Sequence, residues 1–162
     1  MLLGVISDTH GHAANTRRAV QMLESLGVEA VLHCGDIGSP DIVPLLSAWP
    51  TYYVFGNVDG GSQTVELRKA IERAGQTCLG RIGSLELGGV KIAVLHGDDG
   101  RLLDQTIAEG GHGLVCHGHT HVPRWEKIGQ TMVLNPGALY RADPHTIAVV
   151  ELPQLRAEII AV

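Results

Sequence analysis

With 162 residues, 44% of them hydrophobic, the chain can bury one sizeable core, and a single domain over residues 1–162 is expected. A formal net charge of −5 with no basic run argues against a nucleic-acid-binding surface, and no apolar stretch is long enough to span a membrane. Asp8 interrupts the first apolar run too early for a secretory leader, and Cys34, Cys78 and Cys116 are odd in number and far apart, so a reducing, cytoplasmic location is expected.

In chain order, apolar runs alternate with helical patterns. Leu2 to Ile6 reads as a buried strand. From Ala13 to Leu26 the residues Ala19, Val20, Leu23 and Leu26 recur at helical spacing, and Gly27 is a suitable stop. Ala30 to Cys34 forms a second strand, and Pro40 opens a short helix through Ala48. Tyr52 to Phe55 is a third strand, followed by a helix from Ser62 to Ala74. Ser84 to Leu87 and Val90 to Leu95 flank Gly88-Gly89, a two-residue hairpin signal. A helix from Gly100 to Glu109 precedes a strand from Gly113 to Cys116. Val122 to Ile128, Thr131 to Leu134, Thr146 to Leu152 and Leu155 to Ile160 read as antiparallel strands, broken by Gly129 and Pro153. The alternation predicts an α/β fold, with the later hairpins pointing to a mixed sheet or to two sheets packed face to face between helices.

The strand ends carry the chemistry. They stop in Asp8-Thr9-His10, Gly35-Asp36, Gly56-Asn57, His96-Gly97, His117-Gly118-His119-Thr120-His121 and Asn135-Pro136-Gly137. In α/β sheets, ligands gather outside the carboxyl ends of strands. His119 and His121 are two apart, so on an extended chain both rings point into one space. Carboxylate, imidazole and amide ligands without thiolate suit Mn, Ni, Co, Fe or Zn better than Mg or Ca. The candidates are too many for one tetrahedral ion and about right for two ions sharing a carboxylate. Two divalent ions would bring four positive charges against two negative ones from Asp8 and Asp36. One hydroxide and one phosphodiester monoanion would cancel the remainder, which points to phosphate ester hydrolysis.

Asp-x-His, Gly-Asp, Gly-Asn, His-Gly and Gly-His-x-His, in this order, resemble the calcineurin-like metallophosphoesterase superfamily. The short chain and Asn135-Pro136-Gly137 resemble its small bacterial and archaeal phosphodiesterase branch. The resemblance runs from Asp8 to Gly137 and implies a four-layer αββα sandwich of two mixed β-sheets. It also implies a binuclear centre holding two divalent transition metal ions, Mn first among them. Asp8, His10, Asp36 and His121 would hold one ion, and Asp36 would bridge to a second held by Asn57, His96 and His119. A bridging hydroxide would then attack the phosphorus of a small-molecule phosphodiester.

This chain has Val58 where many relatives place a His after Gly-Asn, paired with the acidic residue that here is Asp59. Valine transfers no proton, and a general acid is commonly worth about 10²–10⁴-fold. His12, close to Asp8 and His10, is the candidate replacement; its plain alternative is a residue at a helix start. Ala138 stands where relatives often have Ser.

Each residue also has a plain structural reading. Asp8 and Asp36 could cap helices or fill turns, Asn57 could belong to an ordinary loop, and His96 could be a core histidine. His33 and His117 are expected to pack beside the site and His112 and His145 at the surface. Cys34 and Cys116 are expected to pack as small apolar groups, while Trp49, Trp125 and Tyr140 fit either core or rim. Two alternatives to the phosphodiesterase stay open. One is an interaction scaffold of the same fold, as the retromer subunit resembles; the other is a phosphomonoesterase or nucleotide polyphosphate hydrolase. A homo-oligomer also stays open.

Overall fold

In the computed structural model, which describes residues 1–162, the chain runs β1 (Leu2–Ile6), α1 (Ala13–Leu26), β2 (Ala30–His33), β3 (Thr51–Val54), α2 (Ser62–Arg73) and β4 (Thr77–Gly80). It continues through β5 (Ile82–Leu87), β6 (Val90–Leu95), α3 (Gly100–Ala108), β7 (Leu114–Cys116), β8 (Arg124–Ile128), β9 (Thr131–Asn135), β10 (Thr146–Glu151) and β11 (Arg156–Ala161). One sheet has the order β11-β10-β1-β2-β3-β4 and the other β5-β6-β7-β9-β8. β1 to β4 are parallel, with β10 and β11 antiparallel at one side. In the second sheet β6, β7 and β9 are parallel, and β5 and β8 are antiparallel edges.

Strand alternation builds the layers. On β1, Leu3 and Val5 face the second sheet, while Ile6 faces α1 and α2. On β6, Val90, Ile92 and Val94 face the first sheet, while Ala93 and Leu95 meet Leu103 and Ile107 of α3. Three apolar clusters result: one under α1 and α2, one between the sheets, and a smaller one under α3. This is the αββα sandwich. α1 ends at Gly27, whose left-handed φ of 70° lets its N–H reach the carbonyls of Leu23 and Glu24.

Several elements differ from expectation. The helix expected over Pro40 to Ala48 is a 3-10 helix at Pro40–Leu46 containing Pro44. Proline has no N–H to give the carbonyl four residues back, so an α-turn cannot close there. β4 was not anticipated, because Thr77-Cys78-Leu79-Gly80 is too short and mixed to show a period. The expected antiparallel strand at Thr131 to Leu134 is antiparallel only to β8; its other neighbour, β7, runs parallel. β8 starts at Arg124, and Val122 is an exposed loop residue. No helix is long and apolar enough to cross a membrane.

The parallel registers turn the carboxyl ends of β1, β2 and β3, and those of β6, β7 and β9, to the same end of the sandwich. That end carries the motifs singled out in the sequence. Ile92 is wholly buried between the sheets, so Ile92→Ala is expected to cost about 2–5 kcal/mol in urea unfolding. Val122→Ala, at a residue 63% exposed, is expected to stay within about 0.5 kcal/mol.

Candidate metal centre

Asp8 and His10 leave β1, Asp36 follows β2, His96 follows β6, and His119 and His121 follow β7. Their side chains meet. His10 Nε2 lies 3.5 Å from Asp36 Oδ2 and 3.8 Å from Asp8 Oδ1. His96 Nε2 lies 3.3 Å from Asp36 Oδ2 and 3.9 Å from Asp8 Oδ1. His121 Nε2 is 3.2 Å from Asp8 Oδ1. Two overlapping clusters of ligand atoms follow, Asp8 with His10 and His121, and Asp8 with Asp36 and His96. Asp36 Oδ2 stands between His10 and His96, which the resemblance assigns to different ions. The His119 ring meets that of His96 edge-on at 5.2 Å, and its backbone N–H donates to Asp8 Oδ2. Asn57 is at the exposed rim beside Asp36, whose Oδ1 accepts from the Val58 N–H.

The backbone here is unusual. Seven non-glycine residues have left-handed φ, and five of them are Asp8, His10, Asp36, His119 and His121, at 44–67°. Asp and His tolerate this region better than most residues, yet strained φ values of this kind persist where surrounding structure enforces them and cluster at functional sites. The loops are also pressed together. A Cβ at Gly56 would stand 2.0 Å from Asp36 Oδ1, and one at Gly118 would stand 1.9 Å from Ser7 Oγ and 2.6 Å from Asp8 Oδ2. Only glycine admits these carboxylates.

A family model for the calcineurin-like phosphoesterase superfamily domain matches residues 1–154. The chain belongs to that superfamily. A phosphodiesterase of Methanocaldococcus jannaschii is 29% identical over 140 residues, covering 85% of this chain and 83% of its own length. The solved structure of an archaeal phosphodiesterase has a TM-score of 0.91 at 27% identity and covers 100% of both chains. Vps29 of Entamoeba histolytica, at 18% identity, shares the fold with a TM-score of 0.69, covering 100% of this chain and 99% of its own. Membership of this calcineurin-like superfamily implies divalent metal ions.

The donor set fits such ions. Among the buried polar atoms without a hydrogen-bond partner are Asp8 Oδ1, His10 Nε2 and His96 Nε2, all turned into the same space. His96 Nδ1 donates to the Cys34 carbonyl at 2.8 Å, which leaves a lone pair on Nε2 aimed at two carboxylate oxygens. Electron pairs facing one another in a buried site are stabilised by positive charge between them, which a metal ion supplies. Burial lowers the pKa of His10 more than Asp36 and Asp8 raise it, which favours the neutral, ligating imidazole. At Asp36 burial pushes upward, but the adjacent His96 imidazole and the Val58 N–H outweigh it and leave the carboxyl below its usual range. At His96 burial pushes downward, and the adjacent Asp36 and Asp8 carboxylates outweigh it, so the net shift is upward and positive charge is favoured beside Nε2.

The remaining candidates take other places. Asp59 is buried, and its carboxylate accepts from the N–H groups of Ile37, Gly38 and Gly56. It ties the loop after β2 to the loop after β3; burial raises its pKa despite those three donors. His12 precedes α1 as an exposed residue, its ring stacked on Tyr140 at 5.7 Å. His117 is buried behind the cluster, where burial lowers its pKa to about 4. Asn135 braces the same loop, giving Nδ2 to the Gly118 carbonyl and to Thr120 Oγ1. Trp49 is in the core under the helices, and Trp125 is partly buried against the layer between the sheets. Sequence reading left Tyr140 between core and rim and missed Arg141 altogether: the Tyr140 ring is 5.2 Å from that of His10, and the Arg141 carbonyl accepts from His121 Nδ1 at 3.3 Å. No spacing signal marks them, since they follow a turn rather than a strand.

His33 is wholly buried behind the loops, bonded to Thr9 Oγ1 at 3.0 Å, and burial lowers its pKa to about 3. Its proton therefore binds the unfolded chain first as pH falls below about 6.5, and the stabilisation present above that pH is lost progressively towards pH 3. Between pH 7 and pH 5 the parent protein is expected to lose about 2 kcal/mol more than His33→Gln in urea unfolding, at about 1.4 kcal/mol per pH unit below about 6.5.

Proposed function

We propose that this chain acts, as one domain, as a metal-dependent phosphodiesterase with a binuclear centre, hydrolysing a small-molecule phosphodiester. One observation carries the reading: His10 Nε2, His96 Nε2 and Asp8 Oδ1 are buried, without partners, and gathered about Asp36. Asp8, His10, Asp36 and His121 would hold one ion, and Asp36, Asn57, His96 and His119 the other, with Mn the first choice and Ni, Co, Fe or Zn acceptable. Two such ions supply an activated water nucleophile and Lewis-acid stabilisation of the phosphoryl oxygens. The relatives named as phosphodiesterases support the same reaction here.

The chain's own residues divide the work. Asp36 is held by the Val58 N–H on one oxygen, so its other oxygen is oriented toward His10 and His96. The Cys34 and Arg141 carbonyls fix the rings of His96 and His121 through Nδ1. Asp59 acts as a positioning residue, because its carboxylate is occupied by three backbone donors. Val58 provides no proton for the leaving group, and His12, exposed on the Tyr140 side, is the imidazole available to do so.

Metal-stripped protein is expected to regain hydrolysis of bis(p-nitrophenyl) phosphate when Mn²⁺ is returned. Asp36→Ala is expected to lower that rate by at least about 100-fold. Absence of turnover with Mn²⁺, Ni²⁺, Co²⁺ and Zn²⁺ despite bound metal would overturn the enzymatic reading in favour of a scaffold.

A further inference from the structure

The rim beside His10 and His121 carries a cation with no carboxylate partner. Of the arginines with an ion partner, Arg81 pairs with Asp98, Arg124 with Glu126 and Arg156 with Glu151. Arg141 has no such ion pair; its guanidinium lies over the Tyr140 ring at 5.2 Å. Tyr140 in turn packs on His10 at 5.2 Å and on His12 at 5.7 Å. Two successive 5.2 Å steps therefore bring the guanidinium carbon to within about 10 Å of the His10 ring.

The backbone of Arg141 shares the left-handed conformation of the candidate ligands. Its φ of 50° makes it one of the left-handed non-glycine residues, and its carbonyl accepts from His121 Nδ1 at 3.3 Å. Asn or Gly would hold that conformation with less strain, so a long cationic side chain at this position is a costly choice for a turn. Arg141 is exposed and pairs with neither Asp8 nor Asp36, whose ion partners are His10, His96 and His121, so the guanidinium stands outside the ligand cluster and suits a group carried further along one ester arm. An unpaired guanidinium offers two parallel N–H donors in the geometry of a phosphoryl group.

We propose that Arg141 is a specificity-determining residue that binds a second phosphoryl group carried on one arm of the phosphodiester, with Tyr140 holding the guanidinium in place. This rests on the phosphodiesterase reading, and the preferred substrates are diesters bearing an additional phosphate. Arg81, already neutralised by Asp98 on the far side of the cluster, offers no equivalent contact.

The test is calorimetric binding of thymidine 3′,5′-bisphosphate and thymidine 5′-phosphate to the Mn²⁺-loaded protein, alongside turnover of p-nitrophenyl thymidine 5′-phosphate with and without a 3′-phosphate. Within the parent protein the 3′-phosphate is expected to tighten binding, and to lower KM, by about tenfold. Arg141→Gln is expected to lose that preference, and Arg141→Lys, which keeps the charge without the fork, to retain part of it. No preference in the parent protein, or an undiminished one in Arg141→Gln, would overturn the proposal. A binding preference without turnover of either ester would support the Arg141 contact and overturn only the phosphodiesterase reading.

Discussion

Two buried carboxylates and several imidazole lone pairs share one space at the end of the sandwich, and the rest of the molecule is arranged so that they stay there. Asp8 is fully buried and Asp36 nearly so, and the free nitrogens of His10, His96 and His121 point at them. Where carboxylates are this buried, such groups repel unless positive charge lies between them. The Cys34 and Arg141 carbonyls remove the alternative of rotating a ring to direct its lone pair elsewhere. Asp59 and the Val58 N–H do the same for the loops that present Asp36. Metal binding would turn this stored repulsion into attraction, which makes the centre a coupling point between ion occupancy and stability.

The fold supplies what the cluster needs. Each parallel strand except β4 delivers one motif at its carboxyl end, and two sheets packed face to face deliver motifs from both sides. A single sheet would line the residues up along an edge; two sheets enclose them. The left-handed φ values at Asp8, His10, Asp36, His119 and His121 are the local cost of turning each side chain back into that space. The apolar layers on either side are broad enough to offset such costs, with fully buried Leu3, Ile6, Leu32 and Ile92 on the strands that carry the loops.

Much of this was legible before any coordinates. Runs such as Leu2 to Ile6 and Val90 to Leu95 are mostly apolar, Lys91 apart, because both faces of their strands are largely covered, and Asp8 or His96 follows within two residues. What escaped notice has physical reasons. β4 is a partly exposed strand of mixed character, and the parallel pairing of β9 with β7 depends on which strands become neighbours, a non-local choice. Asp59 reads as chemistry in the sequence, but three backbone donors from two loops converge on it, and only folding brings them together. Tyr140 and Arg141 reach the centre through a turn with no periodic signal, so their proximity to His10 and His121 is a tertiary fact.

The most direct test of a binuclear centre organised around Asp36 is anomalous diffraction from crystals grown with Mn²⁺, measured on both sides of the manganese absorption edge. The account predicts two peaks flanking the Asp36 carboxylate, one beside Asp8, His10 and His121 and the other beside Asn57, His96 and His119. A single peak, or two peaks that do not share Asp36, would contradict it.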